Sequence, residues 1–178
     1  MEQVNVTAPF NWNSFLGYSV ILFLLINLCY IVMGLLAPVA FRIYGTQLTE
    51  KFGLIYSPRT DAIAFGESEV GRIKSLPVVK VTKVSVYDVI SGLYLAVAVL
   101  HLCIVWYGLR MGLSWSLWAL TFADLAIFGY QLMAARNFSF NITPLNLSDM
   151  FPYVLIPGLI LPVATILGWI GLRINSPV

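Results

Sequence analysis

The fold is decided by residues 86–135, VYDVISGLYLAVAVLHLCIVWYGLRMGLSWSLWALTFADLAIFGYQLMAA. In these fifty positions the only Asp, Glu, Lys or Arg residues are Asp88, Arg110 and Asp124. A helix needs roughly 20 predominantly apolar residues to cross the hydrocarbon. The stretch is therefore long enough for two crossings, about 86–109 and 113–135. Gly108 and Gly112 flank Arg110 in a link so short that the two must form an antiparallel hairpin.

Working outward, two further stretches qualify, about 15–41 and 151–172. The sequence thus predicts an all-α integral membrane protein of four transmembrane helices, with a 42–85 extramembrane loop and a single domain over 1–178. No Lys or Arg precedes the first stretch and its apolar run is long, so it reads as a retained helix, not a cleaved leader. Asp88 is expected to cap the second helix, and Ser148 or Asp149 the fourth. Pro157 and Pro162 are expected to bend the fourth helix.

Composition agrees. Of 178 residues, 60% are hydrophobic and 10% charged, and the mean hydropathy is +0.87. Soluble domains carry roughly 25% charged residues. The net charge of +2 and the absence of a basic, aromatic-interleaved groove speak against nucleic acid.

Four crossings place the N-terminus, the Arg110 turn and the C-terminus on one side, side A. Two basic residues lie there, Arg110 and Arg173. The other eight, Arg42, Lys51, Arg59, Arg72, Lys74, Lys80, Lys83 and Arg136, fall on side B. The positive-inside rule then predicts side B in the cytoplasm and both termini outside. Aromatic residues favour the headgroup level. Trp12, Trp106, Trp115, Trp118 and Trp169 all fall at side A, whereas Tyr44, Tyr87, Tyr130 and Tyr153 fall near side B. Asn-x-Ser/Thr triplets at Asn5, Asn137, Asn141 and Asn146 would argue for the opposite orientation if glycosylated, but such triplets arise readily in an Asn- and Ser-rich loop.

Two side-B stretches carry strand-like alternation. Leu76 to Tyr87 sets Val79 and Val81 against Lys80 and Thr82, and 137–149 sets Phe138, Phe140 and Ile142 against Ser139, Asn141 and Thr143. They are expected either to pair as a small β-like cap or to form irregular loops.

Polar residues inside the spans mark where lipid is excluded. Asp124 lies mid-span, with Thr121 and Gln131 on its face. His101, the only histidine, shares a face with Ser91, Tyr94 and Ala98, and Asn27 shares one with Tyr30 and Gly34. At ~1.5 Å rise per residue, Asn27 and Asp124 lie roughly 18 Å and His101 roughly 14 Å below side A. An intramembrane cluster of Asn27, Tyr94, His101, Thr121 and Asp124 is therefore expected. It could be a site for a proton or small hydrophobic ligand, a hydrogen-bonded clamp between helices, or a contact with a partner subunit. His101 could also be an axial ligand to haem or chlorophyll. Neither Cys29 nor Cys103 belongs to a metal-spaced set.

The span lengths and the Gly92-Leu93-Tyr94 opening of the second span resemble the DoxX-like four-helix membrane proteins of bacteria. The long 42–85 loop departs from that layout, and no function is carried over from it. No phosphate loop, nucleophile elbow or paired carboxylates occur. The expected function is that of a non-catalytic accessory subunit of a larger membrane complex, touching lipid and other subunits. A proton or hydrophobic-molecule carrier and a tetraspan contact protein using 42–85 are the alternatives.

Overall fold

The computed structural model describes residues 10–44, 66, 68–69, 76–141 and 155–175. They form four long helices: α1 Phe15–Tyr44, α2 Pro77–Tyr107, α3 Ser114–Asn141 and α4 Leu155–Asn175. Among the described residues there is no strand. Among the described residues three segments are long and apolar enough to cross a membrane, Phe15–Leu35, Pro77–Met111 and Ile156–Ile174. Helix α3, with Asp124, Gln131 and several Ser and Trp residues, falls short of that hydropathy.

Helix α1 begins at a built cap. The Ser14 hydroxyl accepts the Gly17 N–H at 3.0 Å, satisfying one of the orphan donors of the first turn. Helix α2 ends at Gly108, and a single 3₁₀ turn, Leu109–Met111, leads to Gly112 in the left-handed conformation, φ 76°. Glycine reaches that conformation without a Cβ penalty. The turn reverses the chain within a few residues, as the expected hairpin requires.

Helix α1 packs closely on both α2 and α4, while α3 touches α2 and α4 less closely. The four helices therefore stand in ring order, with α1 and α3 on a diagonal. Small residues allow the tight approaches. A Cβ at Gly34 would lie 2.5 Å from Leu95 Cγ, and one at Gly171 would collide with the Leu16 backbone. At one end of the bundle Trp118 meets Trp169 at 4.8 Å and Arg110 sits 4.4 Å over the Trp106 ring. Toward the other end Arg42 Nη2 donates to Asp88 Oδ2 at 2.6 Å. All five tryptophans lie toward the first end, in keeping with the sequence partition.

The bundle is apolar outside as well as in its core, and a few polar side chains are held inside. The buried polar side chains include Ser19, Asn27, Ser91, His101 and Asp124. The exposed surface carries Leu25, Leu93, Leu100, Phe122, Val163 and Ile166. Water would penalise that surface, whereas hydrocarbon does not.

Three local expectations are corrected. The 76–87 stretch is helical, not extended: Pro77 occupies the first turn of α2, where its missing N–H costs nothing. Extending a long helix by one residue adds one hydrogen bond per residue fixed, and this outweighs the strand preference of Val79, Val81 and Thr82. Asp88 accordingly lies inside α2 and caps nothing; Leu76 precedes the helix without a side-chain cap. Positions 137–141 continue α3, so the β-like cap loses both strands there, and 142–149 lie outside the described residues. So do the expected caps Ser148 and Asp149 and most of the 42–85 loop. Pro162 lies within α4, and Pro157 lies two residues after the first described residue of that helix.

Candidate functional site: a buried Tyr–Asp–His cluster

Asp124, 3% exposed, projects from α3 into the centre of the bundle. Tyr30 crosses the diagonal from α1 and donates its hydroxyl to Asp124 Oδ1 at 2.7 Å. His101 of α2 places Nε2 3.2 Å from Asp124 Oδ2. Both carboxylate oxygens are thus engaged, each by a different helix. A carboxyl and an imidazole in contact can be joined by one hydrogen in three arrangements: carboxylic acid donating to a neutral ring, carboxylate accepting from a neutral Nε2–H ring, or carboxylate accepting from imidazolium.

The His101 ring is walled by Phe23 at 5.9 Å and by Tyr30, edge-on, at 5.8 Å. Both wall residues belong to α1 and stand four before and three after Asn27, so Asn27 faces the same ring. Asn27 and His101 are each 2% exposed. Among the described residues, Asn27 Oδ1 and His101 Nδ1 have no hydrogen-bond partner. Tyr94 stacks on Tyr30 at 5.8 Å and accepts from Gln131 Nε2 at 2.7 Å. A cavity of about 10 Å³, lined by Tyr30, Asp124, Gln131 and apolar neighbours including Pro157, adjoins the carboxylate. Such a volume takes about one water molecule.

Of the five cluster residues expected from sequence, His101 and Asp124 meet in the core, and Asn27 is buried on the face of α1 that carries Phe23 and Tyr30. Tyr94 belongs to the same network at one remove, through Tyr30 and Gln131. Thr121 turns away, its hydroxyl 3.2 Å from Thr165 of α4. Sequence reasoning ranked Tyr30 and Gln131 only as face companions. Their helical spacing from Asn27 and Asp124 was the available signal, and Tyr30 stands out because only a long side chain spans the diagonal. With Asp124 against Nε2, the nitrogen that His101 could offer a haem or chlorophyll as an axial ligand is Nδ1.

No protein-family model, no curated protein and no solved structure matches this chain.

Proposed function

We propose that the protein crosses the bilayer four times and serves as a non-catalytic accessory subunit of a larger membrane complex. Helix α3 carries this reading. It is the least apolar of the four long helices, it is held less closely by its neighbours than α1, and it exposes Trp115, Trp118, Phe122 and Tyr130. A helix only partly covered by its own bundle, with large aromatic side chains on its outer face, suits a partner helix. The interior polar groups would then act as the clamp that holds a presenting surface in shape. Sizing in mild detergent, combined with cross-linking from Trp118→Cys or Phe122→Cys, tests it. A species larger than the monomer, cross-linked through α3, is expected; a clean monomer with no partner would sink the proposal.

A second reading, that the core holds a transferable proton, is favoured by one observation: among the described residues, His101 Nδ1, on the ring that meets Asp124, and Asn27 Oδ1 are buried without hydrogen-bond partners. A pure clamp would gain by satisfying them. Infrared spectroscopy of the reconstituted chain is the check. A carboxyl band that titrates and is absent from Asp124→Asn supports this reading, and its absence in the unsubstituted chain excludes it.

A further inference from the structure

The polar groups of the core are distributed unevenly along the bundle axis. From His101 toward the Arg42 end, the inward face of α2 carries Tyr94, Ser91 and Tyr87, the last two buried. Gln131 joins them from α3 by its bond to Tyr94. The one-water cavity lies on this flank of Asp124, reaching Gln131 and Pro157. From His101 toward the tryptophan end the same faces are apolar: Val105 on α2, Val20 and Phe23 on α1, Leu117 and Leu120 on α3, all fully buried. Ser19 and Ser116, in that half, each donate to a backbone carbonyl, of Ala164 and Leu113 respectively.

We propose that Asp124 and His101 exchange their proton with side B alone, through a half-path of Tyr94, Gln131, Ser91 and Tyr87, sealed toward side A by the Val20–Phe23–Val105–Leu117–Leu120 layer. The proposal rests on the proton-holding reading of the cluster. The titratable groups facing the pair are Tyr30 of α1 and Tyr94 of α2; among the described residues α4 contributes Pro157, Leu161 and Ala164 at this level. Within the pair the Asp124 Oδ2–H bond breaks and the His101 Nε2–H bond forms, leaving carboxylate and imidazolium. Tyr30 keeps its hydrogen bond to Oδ1 throughout. The carboxylate then takes a proton from hydronium delivered by side B, releasing water into the path. Hydroxyls, an amide and one water can pass a proton by successive hydrogen bonds, whereas the apolar layer has no group to do so.

The seal gives the test. Val20→Thr and Val105→Thr are near-isosteric and put hydroxyls into the gap between His101 and the Ser19 and Ser116 hydroxyls. Liposomes holding the full chain and an entrapped pH dye would report proton leak after an external pH jump. The double variant is expected to leak about tenfold faster than the parent chain, a barrier change of ~1.4 kcal/mol. Adding Ser91→Val and Gln131→Leu should return the leak to the parent level. No increase in the double variant overturns the sealed half-path. So does an increase that the added pair leaves untouched, because the route would then bypass side B's residues. A double variant that fails to fold is replaced by Val105→Thr alone, read in the same way. The infrared titration of Asp124 stands apart from these arms: a titrating carboxyl with no leak keeps the proton site and discards the path, whereas a silent carboxyl discards the site itself.

Discussion

Asp124 has two oxygens and two partners, and the partners are not equivalent. Tyr30 only donates to it, so Tyr30→Phe removes one hydrogen bond and leaves a buried acceptor short. Interhelical hydrogen bonds in membranes average about 0.6 kcal/mol and reach ~2 kcal/mol, so a loss of about 1 kcal/mol is expected in detergent unfolding. Tyr94→Phe strands the Gln131 amide, which lies nearer the cavity and can turn to a water, so its cost should be smaller. Asp124→Leu breaks both contacts at once and should exceed either; an order with Tyr94→Phe worst would mean that the stacked tyrosines, not the carboxylate, organise the core. The residues of this cluster were legible in sequence because charge and amide inside an apolar helix are expensive and therefore rare. The contact of His101 with Asp124 was legible too, from their similar depth on antiparallel neighbours; Tyr30 as the second partner was not, because helical spacing tells which face a residue occupies but not which residue of the diagonal helix it meets.

At the scale of the element, α2 is the instructive case. Its span was visible from hydropathy, yet its first ten residues read as strand, because Val79 and Val81 alternate with Lys80 and Thr82 there. The structure places them as helix with Val78 and Val81 67% and 64% exposed. Spin labels placed singly from Val78 to Val86 should show mobility repeating about every 3.6 residues; a period of two would restore the strand. The close helix contacts make a second expectation. Gly34→Val would drive a side chain into Leu95 and Gly171→Val into the backbone of Leu16, and overpacking of this kind costs typically 1–3 kcal/mol. Gly171 should be the more severe, since a backbone cannot rotate aside. The exposed Arg42–Asp88 ion pair should contribute little: Asp88→Asn is expected to cost no more than about 1 kcal/mol, and less at high salt.

For the whole molecule, the ring order α1-α2-α3-α4 and the shared tryptophan end give the topology a single test. Reporters at the N-terminus, at Arg110 and at the C-terminus should face one side, and a reporter near Arg59 the other. Any odd placement would reject four crossings. The general class was readable from composition alone, since a chain with 10% charged residues cannot cover a soluble surface. That the polar faces turn inward was readable as well, since lipid excludes them; the ring order of the helices was not, because it depends on side-chain packing between non-adjacent segments.

The position of α3 in the chain has a consequence for biosynthesis. A helix with an aspartate at its centre enters a bilayer unwillingly when it emerges alone. Here α1 and α2 are made first, so Tyr30 and His101 are already waiting when Asp124 is synthesised, and the six-residue link from Gly108 to Leu113 ties α3 directly to α2. Membrane integration of α3 should therefore fail when it is expressed as an isolated segment and recover when α1 and α2 precede it. Recovery should fall when Tyr30 and His101 are both replaced by Leu, a dependence that a segment-by-segment insertion assay would read directly.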